Sequence, residues 1–257
     1  MGVLDGKVAI VTGASRGLGA TIALGFGREG ASVVAVGRTQ KDLEGVVRQI
    51  IEVGGKAIVV KSDITIPEQA QNIADTVLEK FGRIDVLLNN AGITMLTSGA
   101  GGTLVSIKDV PYDAWRKILD TNATGVFLCM KAVIPAMISR KVGQIINISS
   151  TVVRTPLPGF GPYTASKFAV EGLTKSLALE LKEHNIGVNA LEIGGMVLTP
   201  GSGPPAYKGT KILRAEVILP SALFLASQDG AKITGEHIIG VEWNEKNGYG
   251  DVESWSA

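Results

Sequence analysis

Short apolar runs alternate with amphipathic segments along this chain. Six runs are rich in β-branched residues and bounded by turn residues, a pattern that predicts strands: Val8–Val11, Ser32–Val36, Ala57–Val60, Val86–Leu88, Ile145–Ile148 and Val188–Leu191. Between them, apolar positions recur at helical spacing, for example from Leu43 to Ile51 and from Ala70 to Phe81. Strands that alternate with helices predict right-handed βαβ crossovers and a parallel sheet covered on both faces.

The alternation continues without an internal linker, a low-complexity tract or a fixed-period repeat. We therefore expect a single α/β domain over residues 1–257, with a doubly wound Rossmann-type parallel sheet of about seven strands and helices on both faces. A glycine- and proline-rich substrate loop is expected around residues 195–219, and a C-terminal tail over residues 243–257. Thr65 with Glu68 is expected to cap the helix that carries Ala70, with Pro67 in its first turn.

Composition narrows the classes of function. The 257 residues carry a net charge of +1 without a dense Lys/Arg run, which argues against nucleic acid or an anionic membrane as a partner. No uninterrupted apolar stretch approaches the length of a membrane span, and the first residues lack the pattern of a signal peptide. One cysteine, Cys129, and two scattered histidines, His184 and His237, offer no zinc-ligand spacing. We expect a metal-independent protein of the cytoplasm, a reducing compartment.

The first predicted strand leads directly into a glycine-rich turn, Thr12-Gly-Ala-Ser-Arg-Gly-Leu-Gly19. Gly13, Gly17 and Gly19 permit a tight turn and a close approach of the backbone to a pyrophosphate at a helix N-terminus. Because this turn follows a strand and opens a helix within a βαβ unit, it predicts nucleotide binding.

The end of the second predicted strand bears on the choice of cofactor. A site selective for NAD usually has a carboxylate here, which accepts hydrogen bonds from the ribose 2′-hydroxyl. This chain has Gly37-Arg38 instead. Arg38 and Arg16 can together hold a 2′-phosphate through charge-assisted hydrogen bonds, which favours NADP(H) and leaves NAD(H) possible. The alternative is that both arginines are solvated surface residues.

Tyr163 and Lys167 form a Y-x-x-x-K box, with Ser150 thirteen residues before the tyrosine. This spacing sets a phenol and an ammonium group one helical turn apart. A tyrosine ordinarily ionises near pH ~10, and an adjacent cation favours the phenolate and lowers the tyrosine pKa. With four tyrosines in the chain, such a pair can arise by chance, so the box has to be interpreted together with the other motifs.

The glycine turn, Asn89-Asn-Ala-Gly92, Asn122, Ser150 and the Tyr163/Lys167 box occur in one order. This ordered set resembles the short-chain dehydrogenase/reductase family, in its single-domain branch of about 250 residues. The resemblance extends from about residue 5 to residue 242. It implies an oxidoreductase that transfers a hydride between NADP(H) and a small carbonyl or secondary alcohol substrate, such as a 3-oxoacyl thioester, a ketone, a sugar or a steroid.

The resemblance also implies roles for four candidate catalytic residues. Tyr163 would be the general acid in carbonyl reduction and the base in alcohol oxidation. Lys167 would bind the nicotinamide ribose and lower the tyrosine pKa. Ser150 would orient the substrate oxygen, and Asn122 would hold a water that connects Lys167 to bulk solvent.

The cofactor contacts implied by the resemblance are Gly13, Ser15, Arg16, Gly17, Leu18, Gly19, Arg38, Asp63, Ile64, Asn90, Ala91, Gly92, Tyr163, Lys167, Val197 and Thr199. Asp63 would contact the adenine ring, although it can equally be a turn residue at a helix start. Asn89 is as readily a structural residue of the central sheet.

The family pattern breaks after the sixth predicted strand. The family usually has Asn-x-x-x-Pro-Gly, whereas this chain reads Asn189-Ala-Leu-Glu-Ile-Gly194, without the proline. Losing the fixed φ of proline and gaining glycine is expected to loosen the loop. Val197 and Thr199 are the candidates for the nicotinamide and pyrophosphate contacts there, in an alignment that is ambiguous.

A second hypothesis is a non-catalytic nucleotide-binding sensor or interaction protein on the same fold. The altered loop favours this hypothesis, whereas the complete set of Asn122, Ser150, Tyr163 and Lys167 opposes it.

The resemblance further implies a homo-oligomer, a tetramer more often than a dimer, formed through the helices that contain Asn122 and Lys167. Apolar residues of these helices can lie in that contact or in the core: Val126, Phe127, Met130 and Leu173. The aromatic residues near the C-terminus can cover a subunit boundary or pack on their own subunit: Trp243, Tyr249 and Trp255.

Overall fold

The structure, a computed structural model, describes residues 2–102, 104–197 and 212–257. Its strands are β1 (Val8–Thr12), β2 (Ser32–Gly37), β3 (Lys56–Lys61), β4 (Val86–Asn89), β5 (Gly143–Ile148), β6 (Ile186–Glu192), β7 (Met196–Val197), β8 (Ile212–Leu213) and β9 (His237–Ile239). Seven of them form one parallel sheet in the order β3-β2-β1-β4-β5-β6-β9, and β7 pairs with β8 separately. All six predicted strands are present.

The helices are α1 (Gly17–Arg28), α2 (Gln40–Glu52), α3 (Pro67–Phe81), α4 (Met95–Ser98), α5 (Tyr112–Leu119), α6 (Gly125–Arg140), α7 (Gly161–Leu181), α8 (Leu219–Ser227) and α9 (Gly240–Lys246). Helices α1, α2 and α8 cover one face of the sheet, and α3, α6 and α7 cover the other. Along β1, Val8 and Ile10 face one layer while Ala9 and Val11 face the other. Because strands of a parallel sheet are buried on both faces, they read as continuous apolar runs. The predicted doubly wound Rossmann-type fold is confirmed.

The strand order reverses between β1 and β4. In an open parallel sheet, a crevice forms at this point, outside the carboxyl ends of the strands, because the connections on either side go to opposite faces. The glycine turn after β1 and the Asn-Asn-Ala-Gly segment at the end of β4 meet here, as the predicted fold requires.

The start of α3 differs from the prediction. The N-cap residue is Ile66, and Pro67 occupies the first turn. Thr65 does not cap the helix, because its amide N–H and its hydroxyl both donate to Oδ1 of Asp63, at 3.0 and 2.7 Å. The cap predicted at Thr65 was therefore wrong, whereas the helix itself and its proline are where the pattern indicated.

Residues 243–257, predicted as a tail, begin inside α9. The ring of Trp243 lies 4.9 Å from that of Phe224 in α8 and 5.6 Å from that of Tyr249. Trp255 packs against the apolar cluster around Leu213. The two tryptophans thus pack on their own chain, although Tyr249 remains exposed. Of the substrate loop expected around residues 195–219, residues 198–211, which include Thr199, lie outside the described part of the chain.

One continuous helical stretch, Tyr112–Arg140, is long and apolar enough to span a membrane by length and composition. Half of its apolar window is buried inside the fold, and α6 packs there against α3 and α7. This burial is typical of a core helix.

Candidate active site

A cleft of about 380 Å³ opens at the carboxyl ends of β1 and β4. It is lined by the predicted cofactor residues of the first half of the chain: Gly13, Ser15, Arg16, Gly17, Leu18, Gly19, Arg38, Asp63, Ile64, Asn90, Ala91 and Gly92. Other lining residues were not predicted, among them Ser62, Ile93, Thr94, Lys117 and Thr121. Ser62 and Thr121 adjoin the predicted Asp63 and Asn122, whereas no motif marks Lys117 of α5.

The glycine turn has a shape that only glycine allows. Gly13 and Gly17 adopt left-handed backbone angles, with φ of +66° and +56°. A Cβ on Gly19 would lie 2.2 Å from the carbonyl oxygen of Gly13 and 2.4 Å from Nδ2 of Asn90. The N-terminus of α1 is thereby packed directly on the turn, which leaves a side-chain-free cradle at the floor of the cleft.

The first turn of α1 presents groups that suit an anion. Its N-cap, Arg16, makes no side-chain cap bond, so the amide N–H groups at the helix start are not satisfied by a capping side chain. Arg16 and Arg38 are exposed at the rim, and neither forms an ion pair with any residue in the described ranges. A glycine cradle, a helix N-terminus and two unpaired guanidinium groups fit the phosphates of a dinucleotide.

Side-chain hydrogen bonds from Asn90 stabilise the glycine turn. Its Nδ2 donates to the carbonyl oxygens of Thr12 and Gly13, at 3.1 and 3.3 Å. The Thr12 hydroxyl oxygen in turn accepts from the amides of Asn90 and Ala91, at 3.0 and 3.1 Å. The neighbouring Asn89 donates a hydrogen bond to Oδ1 of Asn147 at 2.8 Å within the core. This contact agrees with the interpretation of Asn89 as a structural residue of the central sheet.

Asp63 is a turn residue before α3, as one interpretation expects, and its contact with the adenine ring stays a prediction. It lines the cleft, and its carboxylate also orders the turn at Thr65. Its amide N–H donates to Oε1 of Gln69 at 2.7 Å. The main chain of Asp63 is therefore fixed by a side chain of α3. An adenine ring bound beside Asp63 would contact a residue that is already held in place.

The catalytic candidates meet where the end of β5 faces the start of α7. Helix α7 begins at Gly161, with Pro162 in its first turn, so Tyr163 and Lys167 lie on its first two turns. The Lys167 Nζ donates to the carbonyl oxygen of Ile148 at 2.7 Å and lies 5.7 Å from the centre of the Tyr163 ring. The side chain of Ser150 lies near enough to the Tyr163 phenol to influence its pKa. Three of the four predicted catalytic residues are thus brought together.

The pKa values differ from the expectation at Tyr163. Burial raises the pKa of Tyr163 above its ordinary value, and the side chain of Ser150 only partly opposes this. Burial also lowers the pKa of Lys167 to about 8, and the negative charge of Glu171 opposes this lowering. Because the Lys167 ammonium bonds to Ile148 and not to the phenol, its expected lowering of the tyrosine pKa is not seen.

Asn122 lies in a π-helical turn, Asp120–Thr124, between α5 and α6. Its Oδ1 accepts the amide N–H of Ile93 at 2.8 Å, and its Nδ2 donates to the Ile93 carbonyl at 2.9 Å and to the Ser166 hydroxyl at 3.1 Å. Both amide hydrogens are therefore used within the protein, where they join the β4 loop to α7. That Asn122 also holds a water stays a prediction.

The altered loop after β6 is anchored by the C-terminal part of the chain. Ile193 or Gly194 stands in place of the family's proline. The carbonyl of Ile193 accepts the amide N–H of Val241 at 3.1 Å. Gly194 has a φ of +87°, and a Cβ there would lie 2.3 Å from a methyl carbon of Val241. Val197 is half-buried in β7, beside the cluster of Leu213, Val217 and Val241, and does not line the cleft.

A family model described as short chain dehydrogenase matches residues 7–204. The chain belongs to the short-chain dehydrogenase family. It is therefore an NAD(P)-dependent dehydrogenase or reductase that acts on a carbonyl compound or the corresponding alcohol, and the relationship supports this activity over a non-catalytic nucleotide-binding protein.

Relatives and solved structures cover nearly the whole of this short-chain dehydrogenase. It is 36% identical to the 3-oxoacyl-[acyl-carrier-protein] reductase FabG of Thermotoga maritima, over 93% of this chain and 97% of that protein. It is 33% identical to a metagenomic short-chain oxidoreductase in complex with NADP, with a TM-score of 0.78 over 92% of this chain and 97% of the other. It is 26% identical to carveol dehydrogenase from Mycobacterium avium in complex with NAD, with a TM-score of 0.82 over 93% and 97%.

Proposed function

We propose that this short-chain dehydrogenase uses NADPH to reduce the ketone of a 3-oxoacyl thioester or a related carbonyl compound, and catalyses the reverse oxidation of the alcohol. The observation that carries the proposal is the meeting of Ser150, Tyr163 and Lys167 where the end of β5 faces the start of α7. Near full-length similarity to a 3-oxoacyl reductase supports the thioester as the first substrate to test.

The nicotinamide cofactor supplies the hydride when it is bound. The Ser150 hydroxyl would donate a hydrogen bond to the substrate oxygen and fix the carbonyl beside Tyr163. Tyr163 would give its phenolic proton to that oxygen as negative charge develops on it. The pKa of Tyr163 lies above its ordinary value because of burial, so the phenol is protonated at neutral pH and can act as the acid in the reducing direction. Lys167 would hold the nicotinamide ribose.

NADP(H) is the proposed cofactor, with NAD(H) as the alternative. The support is the exposure of Arg16 and Arg38 at the rim and the lack of a carboxylate directly after β2. A 2′-phosphate at this position would receive charge-assisted hydrogen bonds from both guanidinium groups. The similar structures include both an NADP and an NAD complex, so the preference rests on these residues.

The proposal extends to the assembly and to the proton path. Val126 and Met130 are buried in the core, whereas Phe127 of α6 and Phe168 of α7 are 42% and 50% exposed. Exposed aromatic residues on these two helices support a homo-oligomer. We propose a tetramer more than a dimer, in the cytoplasm. We also propose a single domain over residues 1–257, with its substrate loop around 195–219, and a water at Asn122 that carries protons to Lys167.

The purified chain should be assayed by nicotinamide absorbance against 3-oxoacyl thioesters, simple ketones, keto sugars and ketosteroids, each with NADPH and with NADH. We expect turnover of at least one class, faster with NADPH. Cofactor binding without turnover of any carbonyl or alcohol in the panel would instead favour the non-catalytic alternative.

A further inference from the structure

A network of charged side chains runs beside the catalytic pair: Glu171 and Glu192 are buried, His237 is half-buried, and Arg154 is exposed. Nη2 of Arg154 lies 2.5 Å from Oε1 of Glu192, and Oε2 of Glu192 lies 3.1 Å from Nε2 of His237. Nδ1 of His237 lies 2.8 Å from Oε1 of Glu171, and that oxygen also accepts the hydroxyl of Ser149. None of these residues stands in the glycine turn, the Asn-Asn-Ala-Gly segment or the Tyr163/Lys167 box. The proposed reaction does not use them.

These residues come from four parts of the sheet region and converge at the strand ends. Glu192 is fully buried at the end of β6, and His237 begins β9. Ser149 lies between Ile148, which binds Lys167, and the catalytic candidate Ser150. Glu171 is on α7, one helical turn after Lys167. The network is therefore anchored to both elements that carry the catalytic residues.

The charges of the network balance. Each ring nitrogen of His237 faces a carboxylate oxygen, so the imidazolium form can donate to both. The bonds to Glu171 and Glu192 raise the pKa of His237 to about 9, against burial. For Glu171, burial is the largest influence and raises the pKa, but the bonds from His237 and Ser149 together lower it below its ordinary value. Glu171 is therefore a carboxylate at neutral pH.

We propose that Glu171 is a positioning residue for Lys167: held in place by His237 and Ser149, its carboxylate keeps the buried Lys167 in the ammonium form. The proposal rests on the proposed role of Lys167 in the reaction. Lys167 is 6% exposed, and its amine has a neutral carbonyl, that of Ile148, as its hydrogen-bond acceptor. A buried ammonium in contact with a neutral acceptor needs a nearby negative charge to remain protonated.

Glu171 supplies that charge. Burial lowers the pKa of Lys167, and Glu171 is the group that opposes this lowering. Besides Lys167, the charged groups that face Glu171 are His237 from β9 and Lys175 from its own helix. Glu192 bonds to the opposite nitrogen of His237 and belongs to β6, not to the helix that carries Lys167.

This arrangement offers a matched pair of substitutions. Glu171→Gln keeps an oxygen that accepts from Ser149 and His237 but removes the charge one turn from Lys167. Glu192→Gln makes the same chemical change on the other side of His237. Only the first should change the titration of Lys167 directly, although both remove a carboxylate from the same imidazolium.

The test has two readouts: the pH profile of NADPH-dependent reduction, and the titration of the Lys167 side chain by 13C NMR of lysine-labelled protein, assigned with Lys167→Met. In E171Q, the alkaline limb of the profile and the Lys167 titration should both move down by about one pH unit or more. In E192Q, neither should move down. E171D, which keeps the charge at a greater distance, should lie between E171Q and the wild type.

An unchanged Lys167 titration in folded E171Q would overturn the proposal, and so would an equal downward shift in E192Q, which would indicate a general loosening. If E171Q does not fold, E171D replaces it in the test. A Lys167 titration in E171D identical to that of the wild type would then contradict the proposal. If the wild-type protein reduces no carbonyl, the proposed function fails, while the NMR titration still decides whether Glu171 controls Lys167.

Discussion

Lys167 donates a hydrogen bond from Nζ to the main-chain carbonyl oxygen of Ile148, at 2.7 Å. This bond connects α7 to the last residue of β5, and Ser150, two residues later, lies beside Tyr163 of the same helix. The register between one strand end and one helix therefore positions three of the four catalytic candidates. Substitutions here are best interpreted with separate measurements of cofactor binding and of the free energy of unfolding.

Tyr163→Phe should reduce the rate of carbonyl reduction by about 10²- to 10⁴-fold, the range of a positioned acid catalyst, while the Kd for NADPH changes little. The reason is that the substitution removes the proton donor but leaves the ring among its apolar neighbours. Steady-state kinetics and a fluorescence titration with NADPH measure the two effects. Turnover close to that of the wild type would remove Tyr163 from its proposed role.

Arg38→Asp should lower kcat/KM for NADPH by about 10- to 100-fold, because a hydrogen bond to a charged group contributes about 1.5–3 kcal/mol. The new carboxylate should at the same time favour NADH. The matched control is Arg48→Asp, the same change on an exposed residue of α2 that does not line the cleft. An equal NADPH/NADH ratio in both variants would count against the proposed 2′-phosphate contact.

Gly19→Ala should weaken cofactor binding and destabilise the fold by about 1–3 kcal/mol, because the new methyl group would overlap the Gly13 carbonyl and Asn90. Gly45→Ala is its control: Gly45 is also helical, on α2, and a Cβ there meets nothing within 4 Å. That variant should be more stable by about 0.5–1 kcal/mol. Chemical denaturation and NADPH titration of both variants check the prediction.

His237 should make the stability of the fold depend on pH. Its pKa is raised from an ordinary 6.5 to about 9, mainly by its bonds to Glu171 and Glu192. Its contribution is therefore complete below pH 6.5 and is lost as the pH rises through about 9, on the order of 3 kcal/mol in all. On the acid side, Glu171 and Glu192 have lowered pKa values, so their contributions fade as the pH falls below 4.5.

Urea unfolding between pH 6 and pH 10 tests this pH dependence. His237→Gln should flatten the alkaline decline, whereas His184→Gln, the same change on the short 3-10 helix after α7, should leave it unaltered. A decline of the same size in H237Q would place its cause outside the network.

Much of the fold and of the cofactor cleft could be predicted from the sequence, because both depend on local patterns. The strands are continuous apolar runs, and the glycine turn follows the first of them directly. Since the carboxyl ends of parallel strands share one edge, residues after β1, β2, β3 and β4 had to converge there. The cleft brings these residues together, from Gly13 to Gly92.

The remaining features depend on packing that no local pattern encodes. His237 lies 66 residues from Glu171 and 45 from Glu192 in the chain, and only the pairing of β6 with β9 makes them neighbours. The raised pKa of Tyr163 follows from burial, which a four-residue spacing does not reveal. Trp243 could be placed against Phe224 only once α9 was known to be a helix.

The two outer strands of the sheet are poor templates for a further strand. Strand β3 has an exposed lysine at each end, Lys56 and Lys61, and β9 has three residues before the chain turns into α9. Short edge strands and flanking lysines discourage edge-to-edge pairing and the aggregation that follows from it. Strand β9 therefore offers little main chain for extending the sheet from one copy of this chain to another.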